Sequence, residues 1–136
     1  MPNLKTYDLF ISHAWNYNHE YYTLVNMLKN TPYFYFRNYS VPEHDRLKVN
    51  TNKALDEGLW RQIRPVNAVL ILSGMYFNHR KWIQREIEIA QFLHKPIIGI
   101  VPRGQLLTPA EIQRTSKTMV GWYTPSIIEA IRRYSI

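Results

Sequence analysis

The 136-residue chain carries 17 Lys and Arg against 10 Asp and Glu, a formal net charge of +7, and it contains no cysteine. This length predicts a single domain over residues 1–136, and the absence of cysteine excludes disulfides, thiolate metal sites and cysteine nucleophiles. No apolar run approaches the roughly 20 residues of a membrane helix, and residues 1–7 lack the apolar core of a signal peptide. We therefore expect a cytoplasmic protein with no membrane partner.

The first half of the chain alternates apolar runs with helical spacing. Residues 7–12 are rich in aromatic and β-branched side chains and predict a strand. Asn18 is placed to cap a following helix, which Pro32 ends. Residues 33–39 predict a second strand, and the polar residues 40–52 predict a long loop of the kind that usually has a function.

The second half continues the same alternation. Residues 53–64 and 82–93 each predict an amphipathic helix. Residues 68–72 (AVLIL) and 96–101 (PIIGIV) are apolar throughout, which is typical of strands covered on both faces.

The C-terminal part predicts the last three elements. Residues 109–117 indicate a short helix, and residues 119–122 a short final strand. Thr124 is expected to cap the last helix, with Pro125 at its first position.

This alternation predicts an α/β fold, a three-layer doubly wound parallel five-stranded sheet of flavodoxin-like strand order 2-1-3-4-5. Ligands of such sheets bind at the carboxyl ends of the strands, beside the point where the strand order reverses. Residues 12–15, 40–52 and 73–82 follow the first three strands, so we expect them to converge on one cleft.

The most informative residue is Glu86, in the helix predicted over residues 82–93. We place each residue by its angle around the helix axis, with Trp82 at 0° and about 100° per residue. Glu86 then falls at about 40°, between Ile89 and Ala90 on the apolar side of the helix. Burying a carboxylate without a partner is expensive. Glu86 therefore either pairs with a neighbouring Arg, Lys or backbone group, or lines a ligand cleft.

Other chemistries find less support in the sequence. It has no glycine-rich phosphate loop, no metal-ligand spacing among its five histidines and no nucleophile elbow. No block of five like charges forms a basic arm, and no acidic cluster suits a nuclease metal, which argues against nucleic acid as a partner. His13 and Trp15 are suited to hold a base or nicotinamide ring, although Trp15 can instead pack on the following helix.

The same residues carry a family resemblance. Residues 7–15 (YDLFISHAW) resemble the first strand and loop of TIR domains, and residues 38–42 (NYSVP) resemble the start of their BB loop. Residues 82–87 (WIQREI) match the W-x-x-x-E motif of that family, and residues 95–100 resemble the strand that follows it. Within TIR-like proteins the chain is most similar to the ThsB subfamily of bacterial Thoeris anti-phage defence.

The resemblance implies that the chain cleaves NAD between nicotinamide and ribose when it is triggered or assembled. NAD is then a substrate, and no cofactor is expected. The product would be an ADP-ribose-derived, cyclic signal that activates a separate effector protein. The family's catalytic glutamate falls on Glu86. The substrate contacts expected beside it are Ser12, His13, Trp15, Tyr39, Asp45 and Trp82.

An alternative function belongs to the same family. A TIR-type domain that is not an enzyme would assemble with itself, or with a partner, through its BB loop. In the enzyme, residues 42–46 are placed to gate the cleft, or they form an inert solvated loop. Glu86 on an apolar face favours the enzyme, because a scaffold needs no carboxylate there.

Overall fold

The computed structural model of the chain describes residues 5–12, 18–40, 52–73, 80–101 and 109–136. Within these ranges, strands and helices alternate. In chain order they are β1 (Thr6–Ile11), α1 (Asn18–Lys29), β2 (Tyr35–Asn38), α2 (Asn52–Ile63), β3 (Ala68–Leu72), α3 (Arg80–Phe92), β4 (Ile97–Val101), α4 (Ala110–Thr115), β5 (Thr118–Gly121) and α5 (Thr124–Tyr134).

The five strands form one parallel sheet in the order β2-β1-β3-β4-β5, which confirms the predicted fold class and strand order. Leu9 of β1 lies opposite Asn38 of β2 and Ala68 of β3, so β1 lies between these two strands. The strand order reverses between β1 and β3. The carboxyl ends of β2, β1 and β3 therefore lie side by side at the edge where a ligand is expected.

The core follows from the apolar strands that the sequence predicts. All five residues of β3 are buried, as are the first four of β4. A strand buried on both faces needs a helix layer on each side, and the isoleucines and leucines of the flanking helices complete one hydrophobic cluster with the strands.

Most element boundaries differ from the sequence prediction by one or two residues, and two of the differences have a physical reason in the structure. β2 is shorter than residues 33–39, because Tyr33 adopts a left-handed backbone (φ 60°) that a strand cannot contain. The Tyr33 carbonyl accepts a hydrogen bond from Arg132 Nη2 at 3.0 Å. Thr124 is the first residue of α5 and not its cap: Tyr123 holds the N-cap position, because its carbonyl accepts the first helical bond, from the Ile127 N–H.

A polar cluster joins α2 to α3. The Arg85 guanidinium binds both carboxylate oxygens of Asp56, with Nη2 at 2.9 Å from Oδ2, and donates from Nη1 to Glu88 at 3.0 Å. Trp60 Nε1 also donates to Asp56, at 3.2 Å, and the Trp60 ring centre lies 5.9 Å from the guanidinium carbon. This cluster orients α3, the helix that carries Glu86.

Asp56→Asn is expected to weaken the fold in a pH-dependent way. The hydrogen bonds from Arg85 hold the pKa of Asp56 below its ordinary value of 3.8. A lowered folded-state pKa stabilises the fold above the unfolded pKa, and this stabilisation is lost as the pH falls through the folded value. The pair is part-exposed, so we expect the free energy of unfolding of Asp56→Asn to be about 0.5 to 1 kcal/mol below that of wild type at neutral pH. This deficit should shrink from about pH 4 downward.

Urea unfolding of both proteins across that pH range measures the deficit. Glu57→Gln, at an exposed carboxylate one residue along α2, is the control and should stay within about 0.5 kcal/mol of wild type. A deficit for Asp56→Asn that does not change with pH would contradict the role given to this ion pair.

Candidate active site at the carboxyl edge of the sheet

Buried polar side chains gather at the edge where the strand order reverses. Among the described residues, the buried polar side chains are Ser12, Ser40, Ser73 and Glu86. The three serines lie one or two residues beyond the ends of β1, β2 and β3, respectively. Because parallel strands share a carboxyl edge, these hydroxyls form a row across three neighbouring strands.

Glu86 lies on the buried face of α3, as the helical spacing predicts. Its exposed fraction is 0%, and Ile83, Ile87 and Ala90 around it are buried as well. Glu88, two residues along the same helix, is exposed and pairs with Arg85. Two glutamates on one helix therefore occupy opposite environments, and only Glu86 faces the sheet.

The Glu86 carboxylate has a hydroxyl partner on the sheet. Ser12 Oγ donates to Glu86 Oε1 at 2.8 Å, across 74 residues of sequence, and both side chains are fully buried. The Ser12 N–H donates to the Leu70 carbonyl at 2.9 Å, which fixes the serine against β3. A hydrogen bond to a charged acceptor is among the stronger ones. In this contact the partner of Glu86 is a hydroxyl.

Two of the predicted aromatic contacts lie at the same edge. Trp82 is half-buried in the first turn of α3, one helical turn before Glu86. Tyr39 follows β2, where its N–H donates to the Leu9 carbonyl at 2.8 Å, and its side chain is also half-buried. Both residues thus belong to elements that meet at the edge where Ser12 and Glu86 lie. The other predicted contacts, His13, Trp15 and Asp45, lie outside the described residues.

Sequence analysis expected residues 40–52 and 73–82 at this edge, but it did not single out Ser40 or Ser73 as site residues. The available signal was positional: a serine follows the ends of three strands that the predicted order makes neighbours.

Two grooves of the described surface have linings that do not include Glu86. One, of about 760 Å³, lies between α1 and α5, and another, of about 690 Å³, lies along α2. In the described ranges, no three His, Asp or Glu side chains come together as a metal site. No helix in these ranges is long and apolar enough to cross a membrane.

Comparisons with known proteins place the chain in a family. The model of the TIR-like domain of the Thoeris protein ThsB matches residues 10–106, a range that includes Ser12, the W-x-x-x-E residues and β4. The chain belongs to the ThsB TIR-like family. This confirms the resemblance read from the sequence motifs.

A solved structure supports the fold of this ThsB-family chain. The CMP N-glycosidase BcmB of Clostridium botulinum matches with a TM-score of 0.50 and 10% sequence identity, over 93% of this chain and 99% of that one. At this identity the likeness concerns the fold. A comparison with curated proteins gives no match.

Proposed function

We propose that this ThsB-family chain is an enzyme that cleaves NAD at the bond between nicotinamide and ribose. The observation that carries the proposal is the fully buried carboxylate of Glu86, held by Ser12 at the carboxyl edge of the sheet. A buried charge is costly to the fold, so it is retained where chemistry uses it.

The reaction needs a fixed negative charge beside the ribose. As the N-glycosidic bond breaks, its electron pair leaves with nicotinamide, and the ribose C1′ develops oxocarbenium-like positive charge. A carboxylate that is oriented before the reaction stabilises this charge without reorganising. In the proposal Glu86 has that role, and the bond from Ser12 keeps its side chain in one orientation.

The nucleophile decides the product. Attack by water on C1′ gives ADP-ribose and releases a proton. Attack by the adenine or a ribose hydroxyl of the same molecule gives a cyclic product, with a proton released from that group. In the proposal Trp82 forms an apolar wall that keeps water out and so favours the cyclic product.

The family and the fold support an N-glycosidic reaction of this class. The chain belongs to the Thoeris ThsB TIR-like family. BcmB, which shares the fold, is by its name an N-glycosidase that acts on CMP. NAD carries the same type of bond between a base and a ribose.

The product would serve as a signal. We propose that it activates a separate effector protein in anti-phage defence, and that a trigger or self-assembly switches the enzyme on. The test is to incubate the purified protein with NAD and lysate from phage-infected cells, then separate the products by chromatography. Nicotinamide together with a cyclic ADP-ribose derivative is the expected result.

Trp82→Ala is expected to shift the products towards plain ADP-ribose. Removing the indole lets water reach C1′, so we expect the ratio of ADP-ribose to cyclic product to rise roughly tenfold. The ratio does not depend on the total rate, so it can be measured even if the variant loses some activity. Trp122→Ala, at a half-buried tryptophan that follows β5, is the matched control and should leave the ratio unchanged. Plain ADP-ribose as the sole product of wild type would contradict the role of Trp82.

A further inference from the structure

The peptide group that carries Ser12 is held from both neighbouring strands. Its N–H, on Ser12, donates to the Leu70 carbonyl of β3 at 2.9 Å. Its carbonyl, on Ile11, accepts from the Ser40 hydroxyl at 2.9 Å. The orientation of this peptide sets the direction of the Ser12 side chain, and Ser12 donates to Glu86.

Ser40 supplies a side-chain donor at the end of a backbone ladder. The Tyr39 N–H donates to the Leu9 carbonyl at 2.8 Å, and the next carbonyl of β1 that points towards β2 is that of Ile11. The Ser40 hydroxyl reaches this carbonyl just beyond the end of β2. Because Ser40 is buried, water competes poorly for the bond.

Ser40 is itself held by a short chain of hydrogen bonds. Its N–H donates to Asn38 Oδ1 at 2.9 Å, and its single hydroxyl hydrogen is shared between this oxygen and the Ile11 carbonyl. Asn38 Nδ2 donates to the Tyr21 hydroxyl at 2.8 Å, and Tyr21 is buried on α1. The chain of contacts thus runs from α1 on one side of the sheet to Glu86 of α3.

We propose that Ser40 is a positioning residue for Glu86 and acts through Ser12. Its hydroxyl fixes the Ile11–Ser12 peptide, so that Ser12 points its own hydroxyl at Glu86 Oε1. The effect of Ser40 on catalysis rests on the proposed function, whereas the effect of Ser40 on the Glu86 side chain does not.

The structural part is tested by the ¹³C chemical shift of the Glu86 carboxyl carbon. Ser12→Ala removes the hydrogen bond and gives the reference displacement. Ser40→Ala is expected to move the shift in the same direction. The matched control is Thr31→Val, which removes another hydroxyl-to-carbonyl bond of 2.9 Å, to Met27 of α1. A Glu86 shift that responds to Ser40→Ala no more than to Thr31→Val would overturn the proposal.

The catalytic part is tested by kinetics with NAD. Ser40→Ala is expected to lower kcat roughly tenfold with little change in KM, and Ser40→Thr, which keeps the hydroxyl, to restore it. Because both serines act on one carboxylate, the Ser12→Ala/Ser40→Ala double variant should be no slower than Ser12→Ala alone. If the kcat losses of the two single variants instead multiply in the double variant, the serines act independently and the proposal is overturned.

Two outcomes need a second measurement: a Ser40→Ala variant that does not fold, and a wild type that does not cleave NAD. If Ser40→Ala does not fold, Ser40→Cys, which nearly keeps the shape of the side chain but donates only weakly, should give a smaller displacement of the same sign. If wild type does not cleave NAD, the proposed function fails, while the carboxyl shift still decides whether Ser40 positions Glu86.

Discussion

Glu86→Gln is expected to lower the rate of NAD cleavage on the order of a thousandfold. Glutamine keeps the shape of the side chain, and its amide oxygen can still accept the hydrogen bond from Ser12. It carries no negative charge, so it does not stabilise the positive charge that develops on the ribose. The loss should appear in kcat, because the charge matters most in the transition state.

Two further variants separate the charge from its placement. Glu88→Gln makes the same chemical change on the exposed face of α3, where the Glu88 side chain is 61% exposed, and should leave the rate unchanged. Glu86→Asp keeps the charge but draws it back by one methylene from Ser12, so an intermediate rate is expected. Initial rates of nicotinamide release measure all of these. Equal losses in Glu88→Gln and Glu86→Gln would contradict the assignment.

The same Glu86→Gln substitution is expected to stabilise the fold by about 1 to 2 kcal/mol, or roughly 3 to 8 °C in Tm. A carboxylate that is 0% exposed has lost its hydration, and this loss costs more for a charged group than for a neutral amide. Glutamine removes the charge and keeps an acceptor for Ser12. When a residue is retained for catalysis at the expense of stability, replacing it lowers the activity and raises the stability.

Urea and thermal unfolding at neutral pH measure the change. Glu88→Gln, which weakens an exposed ion pair with Arg85, should stay within about 0.5 kcal/mol of wild type. A loss of more than about 1 kcal/mol in Glu86→Gln would show that Glu86 serves the fold, as the structural alternative predicts.

The sequence predicted those features that depend on local spacing. Apolar runs such as residues 68–72 identified buried strands, and their alternation with helices led to the strand order that the structure confirms. The position of Glu86 on the apolar side of the helix predicted its burial, because the inward face of a helix is set by a period of 3.6 residues.

The features that sequence reasoning missed depend on contacts between distant segments. The pairing of Ser12 with Glu86 spans 74 residues, and the bond from Ser40 to the Ile11 carbonyl forms only once β2 lies beside β1. The left-handed backbone of Tyr33 has no signal in an aromatic run that otherwise suits a strand. The roles of all the expected substrate contacts stay predictions: Ser12, His13, Trp15, Tyr39, Asp45 and Trp82.

The most direct test of the central claim is the release of nicotinamide from NAD by purified wild type and Glu86→Gln, each with and without lysate from phage-infected cells. We expect wild type to release nicotinamide when the lysate is present, and Glu86→Gln to release none above the lysate alone. Equal release by the two proteins would show that Glu86 is not the catalytic residue. No release by wild type under any of these conditions would contradict the enzyme and favour a TIR-type assembly module.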